Sequence, residues 1–147
     1  MIRDLENNIR FDTLLAPINL TADSNTAAVD MLEYRYAGFY GMIGASADTL
    51  SGSVYILLEL EESTDNSTYT DVADADITNA VTGLNTGTFA KIDAADEDAM
   101  IYMCEYKGSA RFVRAVVNLV GSHSSGTPIA VFSLRTGDQS LPVTQGT

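Results

Sequence analysis

The sequence is poor in the residues that build covalent or metal-based sites. Among 147 residues there is one cysteine, one histidine and no tryptophan. A single cysteine excludes an internal disulfide and leaves a cysteine-based zinc site without its ligands. Cys104 has Tyr102, Met103 and Tyr106 as near neighbours, so we expect a buried and unreactive thiol. We expect no cofactor, and a hydrophobic core must hold the chain together.

Positive charge is also scarce. Eight Lys and Arg stand against 20 Asp and Glu, which gives a formal net charge of −12 and a pI near 4.1. Nucleic-acid binding depends on Lys and Arg that neutralise phosphates, and anionic membranes attract the same residues. We therefore expect neither nucleic acid nor a membrane as a partner. A high like charge keeps densely displayed proteins from adhering to their neighbours.

Long hydrophobic runs are missing as well. No apolar run approaches the length of a membrane span, and the first ten residues lack the apolar core of a signal peptide. We therefore expect synthesis and folding in a cytoplasm. Because 46% of the residues are hydrophobic, the chain still has enough apolar surface for one folded domain.

Alternation of apolar and polar residues is the main signal that is present. A period of two places every second side chain on one face of a β-strand. Residues 99–120 are predicted to form a β-hairpin with a turn at Lys107–Ser109, and its second half alternates clearly. Another alternating segment runs from Ser53 to Glu62. The expected inward positions are Val54, Ile56, Leu58 and Leu60 in one segment, and Val113, Ala115, Val117 and Leu119 in the other.

Strand spacing predicts an all-β fold, a jelly-roll-like antiparallel β-sandwich of about eight strands with an extended N-terminal arm. We assign residues 1–24 to the arm, 25–136 to the sandwich domain and 137–147 to a polar C-terminal tail. Pro17 lacks a backbone donor, so the segment 14–20 belongs at a sheet edge or in an intermolecular contact. Residues 74–87 are predicted to form a surface loop or a single helical turn. Three glycines between residues 35 and 46 indicate a close backbone approach or a bulge.

Potential chemical sites are few. The acidic segment 93–98 lacks the glycine and glutamate of a calcium loop, so we interpret it as a solvated turn. His123 lies between serines in an apparent linker, where nothing orients it for catalysis. Glu59 and Glu61 share a strand face about 7 Å apart, which keeps glycoside hydrolysis open as an alternative. Phosphate loops, nucleophile elbows and dinucleotide motifs are absent from the sequence, so we predict that the protein is not an enzyme.

Surface contacts are the remaining possibility. Arg114 lies in mid-strand on the face opposite the core, where an ion pair within the subunit and a subunit interface are both reasonable. An extended arm at about 3.3 Å per residue could cross onto a neighbour. We therefore expect its apolar residues to contact partners rather than their own core. The expected capsid or subunit interface residues are Leu5, Ile9, Arg10, Phe11, Leu14 and Arg114.

Several segments support a resemblance to a known family. The chain opens with Met1-Ile-Arg-Asp4, and residues 19–26 lead into Val29-Asp30. Residues 61–72 are followed by residues 106–114 and a Val-rich strand that ends at Gly121. Together these segments cover most of the chain. They resemble small structural proteins of tailed bacteriophages, and the opening is similar to that of capsid decoration, or cement, proteins.

The resemblance implies a β-sandwich that assembles as a homotrimer on the outer capsid surface of a virion. Its partners would be itself and the major capsid protein, whose neighbouring subunits it would clamp at three-fold and quasi-three-fold positions. No binding residue can be assigned by matching motifs. Two alternatives stay open: a carbohydrate-binding or adhesion module that grips host surface glycans through residues such as Tyr69, and a head–tail or tail structural subunit.

Overall fold

The computed structural model describes residues 5–137, which form a sandwich of two antiparallel β-sheets. A single turn of 3-10 helix, Asp74–Asp76, interrupts the strands. No helix within residues 5–137 has the length and apolar character needed to cross a bilayer. The strands are β1 Ile9–Leu20, β2 Ser24–Asp30, β3 Tyr36–Ile43, β4 Tyr55–Ser63, β5 Thr70–Asp71, β6 Thr88–Ile92, β7 Ile101–Tyr106, β8 Phe112–Val120 and β9 Thr127–Thr136.

The strand order is that of a jelly roll. Sheet A has the order β1-β9-β3-β7, and sheet B has the order β2-β8-β4, with β5 and β6 both pairing to β4. The last strand thus lies between β1 and β3, and β8 lies between β2 and β4, as in two nested Greek keys. This confirms the predicted sandwich. Residues 5–137 form one strand more than the eight predicted, and the shortest of the nine is β5, which has only two residues. The predicted hairpin of residues 99–120 is wrong, because the turn at Lys107–Ser109 carries the chain from β7 in sheet A to β8 in sheet B.

The core lies between the two sheets and is built from their inward side chains. The predicted inward positions within β4 and β8 are confirmed, because Ile56, Leu58, Leu60, Val113 and Val117 are fully buried. Val54 lies before β4 and is only partly buried. Sheet A contributes buried residues of β3 and β9 from the other side. These are Ala37, Phe39, Ile43, Ile129 and Val131.

The two sheets approach each other closely at Gly41. A Cβ atom built there would lie 2.4 Å from Cδ1 of Leu58 on β4. Leu58 is fully buried, so its side chain or one of the strands would have to shift within the packed core. The glycine is therefore required by packing between the sheets, as the predicted close backbone approach anticipated.

The N-terminal segment differs from the predicted arm. Residues 9–20 form β1, an edge strand of sheet A that pairs with β9 from Ile9 opposite Thr136 to Leu20 opposite Thr127. The edge position expected from Pro17 is confirmed. Two register shifts, between Thr13 and Leu15 and again before Ile18, interrupt the alternation of inward and outward side chains along β1. The sequence of this segment therefore lacks the regular period of a strand. The predicted C-terminal tail lies outside the described residues apart from residue 137.

The prediction of an exposed linker holds for the serines beside His123 but is wrong for His123 itself. The imidazole is buried, and its Nε2 donates to the carbonyl oxygens of Val120 at 3.1 Å and Tyr55 at 3.3 Å. The loop around it is also held, because the carboxylate of Asp48 accepts hydrogen bonds from the backbone N–H groups of Ser125 and Gly126. His123 therefore closes one end of the β4–β8 pair.

Candidate protein interface

The outer surface of sheet A is apolar. Strand alternation turns one side chain in two of β3, β7 and β9 away from the core. Tyr40 stands opposite Met103 on β7 and Phe132 on β9, and Met42 stands opposite Ile101 and Ala130. We call this surface the apolar face. Its residues are Phe11, Tyr36, Tyr40, Met42, Ile101, Met103, Ala130, Phe132 and Leu134.

Much of the apolar face is open to solvent. Ile101 is 59% exposed, and Tyr36, Met42 and Met103 are exposed as well. Four strands about 4.8 Å apart, each with about eight residues of about 3.3 Å, give the sheet an outer area of roughly 500 Å². Contiguous apolar patches of a few hundred Å² are the surfaces that proteins use for association.

Aromatic rings form the flat centre of the apolar face. The rings of Tyr40 and Phe132 are stacked, with centroids 4.8 Å apart and an angle of 4° between their planes. A Cβ atom at Gly38 would lie 3.0 Å from Cε2 of Tyr40, so the glycine leaves room for the tyrosine ring to lie along the strand. Exposed methionines flank this platform, and their flexible thioethers adapt to an irregular partner.

Charge is confined to the border of the apolar face. At the outward positions of β3, β7, β9 and residues 9–13, Glu105 is the one charged side chain within the described part of the chain. The acidic turn 93–98 adjoins the face where β7 begins. The hydroxyl of Tyr102 donates to the backbone oxygen of Glu97 at 2.5 Å, and the N–H of Ser46 donates to Asp98.

The predicted interface residues of the arm fall in different places. Leu5 is exposed, and Ile9 and Phe11 occupy outward positions of β1 beside β9. Leu14 is buried in the core of its own chain, so its predicted contact with a partner is wrong. Alternation along the first half of β1 turns Leu14 inward, as it does Arg10 and Asp12. Of the residues predicted as an interface, only Phe11 belongs to the apolar face.

Arg10 takes part in a network within the chain. Its Nε lies 2.9 Å from Oδ1 of Asp12, and this hydrogen bond raises the pKa of Arg10 above its ordinary value. Nη2 of Arg135 holds the other oxygen of Asp12 at 2.6 Å, and Nη1 donates to the backbone oxygen of Asp30. Arg135 also lies over the ring of Tyr34, 4.4 Å from its centroid. Sequence analysis missed Arg135, although it occupies an inward position of β9.

Arg114 is also paired within its own chain. Its Nη2 lies 2.6 Å from Oε2 of Glu61 on the neighbouring strand. The guanidinium stacks on the ring of Tyr69 at 4.0 Å. Of the two interpretations of Arg114, the structure shows the ion pair within the subunit. This pair lies on the outer face of sheet B, away from the apolar face.

Glu59 and Glu61 lie on one face of β4, as predicted, but in different environments. Glu59 is buried, and Oε1 accepts a hydrogen bond from the hydroxyl of Thr88 at 3.1 Å while Oε2 accepts one from Asn118. Burial raises the pKa of Glu59, and the negative charges of Asp71 and Glu61 add to this effect. Glu61 is held by Arg114 instead. The pair is therefore built into side-chain networks of sheet B.

Two open clefts flank the loop that joins β2 to β3. Their volumes are about 380 and 500 Å³. The loop between them is strained, because Glu33 has a φ of 74°. Arg111 and Asp30 form an exposed ion pair between these clefts, with Nη2 2.7 Å from Oδ2. The charged groups here thus largely satisfy one another.

Comparison with known proteins gives only distant structural likenesses. No model of a protein family matches the sequence, and no curated protein matches it. The SPBc2 prophage-derived protein YomS is similar in structure, with a TM-score of 0.48 and 13% identity over 87% of this chain and 92% of that one.

The VP2 subviral particle of infectious bursal disease virus is also similar over 92% of this chain, with a TM-score of 0.28 and 14% identity. The match covers 40% of the VP2 chain. The assignment to the jelly-roll fold therefore rests on the strand order of this chain itself.

Proposed function

We propose that this protein is a non-enzymatic structural subunit of a phage virion. It decorates the outer capsid surface and stabilises the capsid by bridging neighbouring major capsid protein subunits at three-fold and quasi-three-fold positions. The observation that carries this proposal is the apolar face, an exposed surface on an ordered sheet that suits contact with another protein. The sequence resemblance supplies the class of partner.

The size of the apolar face favours an assembly that binds through several copies. Roughly 500 Å² on each partner lies below the area of about 800 Å² per partner that a standard stable interface buries. One copy alone would therefore bind weakly. A homotrimer presents three such faces, and joint binding raises the overall affinity by orders of magnitude. A homotrimer would therefore hold the capsid more firmly than a single copy.

The direct test combines the mass of the protein in solution with a binding assay. Light scattering is expected to give the mass of three chains, and sedimentation with heads purified without this protein is expected to show saturable binding. A monomer that leaves the heads bare would contradict the proposal. The copy number per virion distinguishes decoration from a head–tail or tail subunit, which is present in far fewer copies.

A deletion that tests the N-terminal segment must leave β1 and the core in place. Deleting residues 2–14 would remove half of β1 and take Leu14 out of the core, so it would damage the fold itself. Deleting residues 2–8 leaves β1 intact. If the segment before β1 contacts partners, this shorter deletion reduces head binding or trimer formation while the unfolding midpoint is retained. Unchanged binding would remove the segment from the proposed interface.

A further inference from the structure

The two sheets present opposite kinds of surface to their surroundings. The outer face of sheet B carries charged side chains that are already paired, such as Arg114 with Glu61 and Lys91 over the ring of Tyr55. The outer face of sheet A carries the apolar face, with Glu105 as its one charged residue among the described positions. Of the two sheets, sheet A therefore offers the surface that gains most from being covered.

Charge indicates what kind of protein covers it. The turn with Asp96, Glu97 and Asp98 lies at one corner of the apolar face, and Glu105 lies farther along β7. The exposed Arg35 and Lys107 lie at the opposite end of the sheet, so the border carries both signs with an excess of negative charge. A second copy of the chain would bring another net charge of −12 against this acidic border. Like charges placed face to face oppose association, whereas a basic border on the partner favours it. The apolar face is thus better suited to a different protein than to its own copy.

We infer that the apolar face is the surface that docks on the capsid, and that its partner is a folded protein surface with an apolar centre and a border of Lys and Arg. This inference rests on the proposed function and names the side of the molecule that performs it. The stacked Tyr40 and Phe132 form the flat centre of the contact, and Met42, Ile101 and Met103 form its adaptable edge. Contacts between copies of the chain then use other surfaces.

The test compares two substitutions of matched exposure. Ile101 on the apolar face is 59% exposed, and Leu32 in the loop between β2 and β3 is 57% exposed. Ile101→Asp and Leu32→Asp introduce the same charge at aliphatic positions of equal accessibility. Binding of each variant to heads purified without this protein is measured by sedimentation at about 50 mM and about 500 mM salt.

We expect Ile101→Asp to weaken head binding at least about tenfold, because a charge is then covered by the apolar contact without a partner to neutralise it. Leu32→Asp is expected to bind within about twofold of the wild type. Wild-type binding should weaken at the higher salt concentration without disappearing, since the apolar contact is not screened. Urea unfolding and light scattering show whether each variant is folded and keeps its assembly state, and Met103→Asp replaces Ile101→Asp if that variant does not fold.

The possible failures are distinguishable. If the wild type does not bind heads, both the proposed function and this inference are overturned. If the wild type binds and Ile101→Asp binds equally well, the function stands and the assignment of the apolar face is wrong. If Ile101→Asp instead dissociates the assembly of copies in solution, the face is covered by a second copy, which also overturns the inference.

Discussion

Gly41→Ala tests the close approach of the two sheets directly. The backbone at Gly41 is strand backbone outside the positive-φ glycines, so alanine can adopt it. The added methyl would lie 2.4 Å from Cδ1 of Leu58, at least 1 Å inside ordinary van der Waals contact. Because Leu58 is fully buried at the centre of sheet B, either a rotamer or a strand must move.

The expected cost follows from two opposing effects. Overpacking a core by one methyl group costs about 1–3 kcal/mol. Replacing an unstrained glycine with alanine stabilises by about 0.4–1 kcal/mol through the unfolded chain. The free energy of unfolding should therefore fall by about 1–2 kcal/mol, which corresponds to a melting temperature roughly 4 °C lower for a domain of this size.

A double-mutant cycle in urea isolates the contact. Leu58→Ala alone is expected to cost about 2–5 kcal/mol. In the double variant the methyl at position 41 occupies part of the space that the leucine leaves, so the two losses should fall short of additivity by about 0.5–3 kcal/mol. Gly52→Ala is the control, because nothing lies within 4 Å of a Cβ there. Full additivity of the two losses would show that position 41 and Leu58 are not in close contact. A Gly41→Ala variant as stable as Gly52→Ala would show the same.

Three further predictions concern buried groups. Arg135→Met should lower the free energy of unfolding by about 1–3 kcal/mol in urea titrations, because Asp12 then keeps only the more exposed Arg10 and the backbone oxygen of Asp30 loses a donor; a loss below about 0.5 kcal/mol would contradict that. Burial raises the pKa of Glu59 in the folded state, so the fold favours the protonated carboxyl group. This contribution to the free energy of unfolding is complete below the ordinary glutamate pKa and is lost as the pH rises through the raised pKa. The stability of Glu59→Gln relative to the wild type should therefore improve from about pH 4 to about pH 7, and a constant difference would exclude the effect. Burial raises the pKa of Cys104, so an aromatic disulfide reagent should label it only after unfolding, and rapid labelling of the native protein would be inconsistent with the structure.

Strand alternation made much of sheet B predictable. Strands β4 and β8 are long, and their inward positions repeat every second residue, so the core positions Ile56 and Val117 follow from the sequence. The buried Cys104 follows from its apolar neighbours in the same way. Strand β1 was interpreted as an arm because two register shifts interrupt its period, which local patterning cannot anticipate.

The remaining features depend on residues that are far apart in the chain. Arg135 meets Asp12 only because β9 pairs with β1 across the length of the sequence. His123 looks exposed between serines and glycines, and it is buried because its loop folds over the ends of β4 and β8. Neither the contact of Arg135 with Asp12 nor the burial of His123 can be predicted from the residues next to them in the sequence.

The sequence by itself determined the fold class, the acidic surface and the single buried thiol, since these depend on composition and on a period of two along each strand. The tertiary structure alone decided which strands are neighbours. Met42, Ile101 and Ala130 come from three separate segments, and they form one surface because β3 lies between β7 and β9. Local interactions set the direction of a side chain relative to its own strand, whereas the long-range pairing of strands sets which outward side chains share a face.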